Sequence, residues 1–238
     1  MFTSSFNSNH GRSYGILSRS ISAPDAQGQV TFSHGSGSGF AIAPGIIVTA
    51  AHVLYPEGRY SNTRFQTIEV MRAPDIGNGG GPLAAEILAE SHQHDIAILR
   101  ISNPMSKDCV QLTRGLPSIG KNVGAIGFPD TIISHTVNNG HNFFNVSFHL
   151  SFVGSHISRS LYNANFENGQ IQVFSTDGNV YEGASGGPVF LTNGHVCGMQ
   201  VGYSRNQKNE RQSFTNCVPA AAIIDFATAN GIKNLRVV

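Results

Sequence analysis

The chain carries little charge. Asp, Glu, Lys and Arg make up 12% of its 238 residues, the net charge is +1, and no long run of Lys or Arg occurs. Without a basic patch, the electrostatic attraction behind nucleic-acid and anionic-membrane binding is missing, so neither partner is expected. No apolar run is long enough to cross a bilayer. Met1 to Arg19 is polar and Ser/Asn-rich, and it lacks the apolar centre of a secretory signal. Cysteine is scarce and odd in number, at Cys109, Cys197 and Cys217. Such a set reads as reduced thiols in a cytoplasmic protein rather than as a disulfide framework; Cys197 and Cys217 are two small core residues, on strands that could be neighbours. Paired CxxC and HExxH patterns are also missing, so no metal or other cofactor is expected. His92-Gln93-His94-Asp95 has metal-ligand chemistry but no supporting pattern.

Glycine, by contrast, is abundant: 27 residues, beside a hydrophobic fraction of 40%. Many turns and few charged helical faces point to an all-β chain, long enough to bury a core as one domain or as two small barrels counted together. Residues 1–13 read as a flexible N-terminal arm. Short strands are expected near residues 14–17, 30–32, 40–43, 46–49, 65–71, 84–88 and 96–101. Gly35 to Gly39 reads as a loop, Pro44-Gly45 as a hairpin turn, and Ala50 to Leu54 as a short helical turn. Further loops are expected over 55–64 and 77–82, and residues 102–117 as a bridge between two halves. In the second half, strands are expected near 122–127, 146–153, 170–174, 187–191, 195–202 and 214–218. Residues 219–230 are Ala/Ile-rich, with Pro219 at the start and Gly231 at the end, which predicts a C-terminal helix.

One segment invites chemistry: Glu182-Gly183-Ala184-Ser185-Gly186-Gly187-Pro188. Glycines around a serine let the backbone turn its N–H groups toward one point, as a nucleophile beside an oxyanion hole requires. Gly-Ser turns are also common in β proteins, so this segment alone leaves a plain turn open. Two upstream segments bear on it. Ile47-Val48-Thr49-Ala50-Ala51-His52-Val53 ends an apolar run on a histidine, and His94-Asp95-Ile96-Ala97-Ile98-Leu99 places an aspartate just before an apolar strand. Taken singly, they read as a core histidine and a turn aspartate. Taken with Ser185, they stand in the order His52, Asp95, Ser185, at spacings of 43 and 90 residues, which suits a base and its orienter on one barrel and a nucleophile on a second.

At these residues the chain resembles the chymotrypsin-fold, trypsin-like serine peptidases, in the style of the HtrA-like and glutamyl-endopeptidase-like bacterial enzymes. The resemblance runs from about Gly35 to about Ala229. It is carried by Gly37-Ser38-Gly39-Phe40, Thr49-Ala50-Ala51-His52, Asp95-Ile96-Ala97-Ile98-Leu99, Ala125-Ile126-Gly127-Phe128-Pro129 and Gly183-Ala184-Ser185-Gly186-Gly187-Pro188.

The resemblance implies two six-stranded antiparallel barrels, the first over about 14–105 and the second over about 118–218, followed by the helix. It implies a serine endopeptidase acting on proteins or peptides, with catalytic His52, Asp95 and Ser185 and an oxyanion hole at the N–H groups of Gly183 and Ser185. It also implies substrate contacts at Asn179 and Gln200, around the primary specificity pocket, and an edge strand at Val201-Gly202-Tyr203 that pairs with an extended peptide. Ala184 departs from the digestive branch, where an acidic residue precedes the serine and pairs with a new N-terminus. Control is therefore expected from loop ordering, a regulatory partner or an adjoining domain. Two alternatives stay open: a protease-like peptide-binding module, and the protease part of a larger regulated or defence protein.

Overall fold

Apolar residues recurring on one face of short segments build six strands in the first half. They are β1 (Ser13–Ile21), β2 (Phe32–Ala43), β3 (Ile46–Thr49), β4 (Thr67–Arg72), β5 (Leu83–Ser91) and β6 (Ile96–Ile101). In this computed structural model they form a closed antiparallel barrel in the order β1-β2-β3-β6-β5-β4, with β4 paired back onto β1. Closure leaves no unpaired sheet edge, and the barrel is filled by fully buried Ile16, Phe40, Ile47, Val48, Val70 and Ile98. The structure describes residues 2–238 except 24, 28, 57–62, 79, 103, 105–107, 139–140, 167–168, 180 and 207–208. Most of the loop expected over 55–64, and Gly79 within the one expected over 77–82, lie outside the described residues.

Gly35 to Gly39 is not a loop. These residues continue β2 and pair with β1, from Gly35 opposite Ser18 to Gly39 opposite Tyr14. Crowding explains the glycines: a Cβ on Gly37 would lie 2.5 Å from Cγ1 of Val53. Small residues here let β2 pass close beneath the 3-10 turn over Ala51–Leu54.

The connection between the halves carries β7 (Gln111–Leu112) and is stitched to the first barrel by Val110 N–H donating to Ala41 O at 2.8 Å. The second half contains β8 (Asn122–Gly127), β9 (Ile132–Asn138), β10 (His141–Ser147), β11 (Ser151–Phe166) and β12 (Gly169–Thr176). It continues with β13 (Pro188–Leu191), β14 (Val196–Asn206), β15 (Asn209–Pro219) and, after a helix, β16 (Arg236–Val237). Eight of these strands make one sheet in the order β13-β8-β11-β12-β15-β14-β7-β16, which curls so that β13 pairs with both β8 and β14. Of the two six-stranded barrels expected, the first is closed, and the second half is a curled eight-stranded sheet in which β13 links β8 to β14. The seam between β12 and β15 spans just Phe174 to Thr176, and β7 and β16 extend the sheet past β14.

Two further expectations change. The strand expected over 146–153 is broken between β10 and β11, and β10 instead forms a separate hairpin with β9, where the sequence reading placed no strand. The N-terminal arm is a docked helix, α1 (Thr3–His10). Its Ser/Asn-rich sequence has weak helix propensity, so tertiary contacts hold it. Fully buried Asn9 donates through Nδ2 to Ser5 O at 2.9 Å and to Gly194 O at 3.0 Å. Phe2 and Phe6 pack on Phe152 with ring centroids 5.7 and 5.5 Å apart. The C-terminal helix, α2 (Ala220–Ala229), lies where Pro219 and Gly231 place it. It buries Ala220, Ile223, Ile224 and Ala227, a single stripe at helical spacing.

The three cysteines are free and buried. Cys197 and Cys217 sit on the paired strands β14 and β15, within one apolar cluster. Burial pushes the Cys197 thiol up to about 12 and holds the Cys217 thiol well above its ordinary value of 9.0. Two outcomes follow. Titration under denaturing, non-reducing conditions should find about three thiols per chain, whereas native protein should react far more slowly; finding one thiol would mean that the other two are paired. Because folding raises these acidic groups, their contribution to stability is intact below the unfolded value and is lost as pH rises through the folded one. Urea midpoints should therefore fall between about pH 9 and pH 12, and a midpoint rising over that window would contradict the burial.

Candidate active site

His52 lies on the 3-10 turn that follows β3, and Asp95 directly precedes β6. β3 and β6 are antiparallel neighbours, with Thr49 opposite Ala97, so the end of one strand meets the start of the other. That pairing brings together two residues distant in sequence. The Asp95 carboxylate accepts twice at Oδ1, from the His52 backbone N–H at 2.9 Å and from ring Nδ1 at 3.1 Å; Oδ2 is 2.8 Å from the same Nδ1. Asp95 is 1% exposed, and a carboxylate this buried is tolerable only when its oxygens are bonded. Its φ of +53° is uncommon for a residue with a side chain. With Nδ1–H donated to Asp95, Nε2 is the remaining acceptor on a ring that borders the neighbouring cleft.

Ser185 comes from the other half, in the loop before β13. Gly183 and Gly186 there have φ of +89° and +90°, the left-handed region that favours glycine. A Cβ on Gly183 would lie 2.5 Å from Phe128 O, and one on Gly186 would collide with Ser38 O and Thr49 Oγ1. Gly186 N–H donates to Gln200 O at 2.7 Å, and Ala184 N–H to Tyr181 O at 3.1 Å. Among the described residues, the N–H groups of Gly183 and Ser185 have no hydrogen-bond partner, and both residues border the cleft. Among the described residues, no hydrogen bond joins Ser185 Oγ to His52, whose Nδ1 is bonded to Asp95.

The cleft has a volume of about 450 Å³ and is bordered by His52, Ser185, Gly183, Glu182, Tyr55 and His34 among others. Tyr55 donates to Glu90 Oε1 at 3.0 Å and lies 3.0 Å from His92 Nε2. Burial, followed by the Glu90 hydrogen bond, pushes its hydroxyl up to about 12. His94 Nδ1 is 3.0 Å from Ser91 Oγ. His92, His94 and Asp95 therefore engage three different partners rather than one centre, and no cluster of three metal-ligating side chains occurs among the described residues.

The residues expected to contact substrate fall into two groups, one on β14 and one around a small pocket. Val201, Gly202 and Tyr203 lie on β14, whose ladder with β13 ends at Met199 and whose partner from Gln200 onward is β15. Val201 is buried and Tyr203 exposed. Asn179 and Gln200 border a small separate pocket with Ala184 and Tyr181, and that pocket includes neither His52 nor Ser185. Gln200 lines that pocket from a buried position. It is 2% exposed; its Nε2 donates to Ile126 O on β8 at 3.0 Å, while its backbone accepts from Gly186 N–H at 2.7 Å and donates to Gly187 O at 2.9 Å. The sequence reading also missed the loop's supports in the first barrel, Ser38 and Thr49 (both buried). The signal was present as a polar pair on apolar strands, within segments already singled out for other residues.

Residues 37–199 match the family described as the trypsin-like peptidase domain. No curated protein matches the chain. Among solved structures, the chain is similar to the Rv3671c protease from M. tuberculosis in its active form, with 18% identity and a TM-score of 0.67 over 97% of this chain and 86% of that one. It is similar also to the inactive form of that protease, with 16% identity and a TM-score of 0.65 over 96% of this chain and 93% of the other. An inactive serine-to-alanine mutant of the same protease gives 16% identity and a TM-score of 0.65, covering 97% and 91%. At these identities the likeness is one of fold. The family match spans more than half of the sequence and includes the histidine, aspartate and serine segments: the chain belongs to the trypsin-like peptidase domain family and is a serine-type endopeptidase.

Proposed function

We propose that the protein hydrolyses peptide bonds through a Ser185-His52-Asp95 triad and an acyl-enzyme intermediate. His52 Nε2 takes the Ser185 proton as Oγ attacks the scissile carbonyl, and then delivers it to the leaving amine. Asp95 fixes the tautomer and stabilises the imidazolium. The N–H groups of Gly183 and Ser185 receive the oxyanion, where one such donor contributes about 2.7–4 kcal/mol. Water then resolves the ester by the reverse path. The observation carrying this reading is the Asp95 carboxylate bonded to both the backbone and ring of His52, with that ring and Ser185 bordering one cleft. An active-site fluorophosphonate should label Ser185 in the wild type and label nothing in His52→Ala. Labelling elsewhere, or labelling that persists without His52, would refute it.

The substrate, on this reading, is an extended peptide added to β14 beside Val201-Gly202-Tyr203, with main-chain hydrogen bonds supplying affinity. The curled second sheet then acts as the second barrel of the fold, with β13 as the closing strand. Asn179 marks the base of the primary pocket. A Lys or Arg side chain there would lose solvation without a carboxylate partner. An uncharged residue is therefore expected before the scissile bond, and a substrate-library profile dominated by Lys and Arg would contradict the assignment. Free, buried thiols support a reducing compartment, the cytoplasm. Control by loop ordering, a partner or an adjoining domain fits Ala184, which cannot supply the charge pairing of the digestive enzymes.

A further inference from the structure

We infer that Ser38 is a positioning residue for catalysis: its hydroxyl, carried by the first barrel, holds the oxyanion loop of the second half in the orientation that presents both N–H donors. The inference rests on the triad reading above and adds to it a residue that does not touch the reacting atoms.

Ser38 lies on β2 and is 1% exposed. Its polar groups are fully engaged. Its Oγ donates to Gly183 O at 2.7 Å and accepts from Phe128 N–H at 3.0 Å. Its N–H donates to Ser185 O at 2.8 Å, and its carbonyl accepts from Thr49 Oγ1 at 2.7 Å. Ser38 therefore grips the carbonyls of the two residues whose N–H groups face the cleft. The peptide joining Ala184 to Ser185 lies between two planes that Ser38 pins. Thr49 anchors Ser38 in turn, three residues before His52, so nucleophile loop and base share one support.

The chemistry requires a small group that donates and accepts at once, and a serine hydroxyl does both. Among the described residues, no other donor reaches Gly183 O. An alanine would leave that carbonyl and the Phe128 N–H unsatisfied in a buried place, and buried polar groups reorganise to find partners. Rotation of the peptide after Gly183 is the available route; it would break the Ala184 N–H bond to Tyr181 O and release the two flanking peptides, which carry the donors. Gly37 and Gly39 on either side let β2 pack tightly within the first barrel, since a Cβ on Gly37 would crowd Val53 and one on Gly39 would crowd Ile47 and Val48 O.

The test uses the full chain and a peptide substrate that the wild type cleaves. Ser38→Ala should lower kcat per titrated active site by roughly 10–100-fold, with KM within about threefold, since the lost interaction operates in the transition state. Affinity for a peptide boronate, whose tetrahedral adduct places an oxygen in the same hole, should weaken in parallel. Ser38→Cys, a weaker donor of similar size, should fall between. If Ser38→Ala does not fold, the cysteine variant decides. A role in stability alone would reduce the number of active sites or the Tm while leaving kcat per site and boronate affinity within twofold of wild type, and that result would overturn the inference. Ser185→Ala in parallel separates the two readings. Activity in Ser185→Ala would overturn the triad, whereas an inert Ser185→Ala beside unaffected Ser38 variants would overturn the Ser38 inference alone.

Discussion

Ser185→Ala should abolish peptide hydrolysis, with kcat falling on the order of 10⁶-fold, as when the nucleophile of a working triad is removed. His52→Ala should cost nearly as much, because the two residues act in one step and their losses do not add. Asp95→Asn should lose on the order of 10⁴-fold. An amide there can turn its NH2 toward Nδ1, which moves the ring proton to Nε2, the atom that must accept from Ser185. The Asn carbonyl can still accept the His52 backbone N–H that Asp95 Oδ1 receives, so the loss acts through the tautomer rather than through the turn. Steady-state turnover and fluorophosphonate labelling would measure all three variants. Turnover near wild type in Ser185→Ala, in protein free of contaminating protease, would refute the assignment.

Gly186→Ala is expected to be the most damaging single-methyl change near the site. The position has φ of +90°, and the added Cβ would meet Ser38 O and Thr49 Oγ1, groups held by the first barrel. Left-handed strain and overpacking each cost about 1–3 kcal/mol, so a loss of about 3 kcal/mol is expected. Relief requires the nucleophile loop to move away from His52, and kcat/KM should fall at least 100-fold, since small misplacements carry losses of that order. The control is Gly81→Ala, where an added Cβ meets nothing within 4 Å and φ is not in the left-handed range; its effect should stay within about 0.5 kcal/mol. Urea denaturation and kcat/KM would report both. A Gly186→Ala protein with wild-type stability and turnover would show that the loop does not sit against β2 as described.

Much of the candidate site was legible because its signals are local. His52 ends a strand, Asp95 begins one, and Ser185 sits among glycines that the backbone geometry demands. Order and spacing then linked the three. The supports of the site were less legible. Gln200 reads from the sequence as a pocket wall, and that its buried amide also bonds to Ile126 O on β8 is visible only in the fold. Gly35 to Gly39 reads as a loop because glycine breaks regular structure on average; here a neighbouring turn demands small residues in a strand. The N-terminal helix was hidden for a related reason. Its stability comes from Asn9 at Gly194 and from phenylalanines on Phe152, contacts with residues far along the chain.

The sequence by itself determined a β-rich chain, the C-terminal helix between Pro219 and Gly231, the candidate triad and the family. Each rests on periodicity, on residues with restricted backbone angles, or on short motifs, and these are properties of neighbours in sequence. Only the tertiary structure decided how far each half closes, what the N-terminal helix packs on, and which buried polar groups brace the loop that carries Ser185. Those depend on strand partners distant in sequence and on where individual hydroxyls and amides find donors and acceptors. Ser38 shows the difference: its place in a glycine-rich motif was plain, but its grip on Gly183 and Ser185 exists only where the first barrel meets the second sheet.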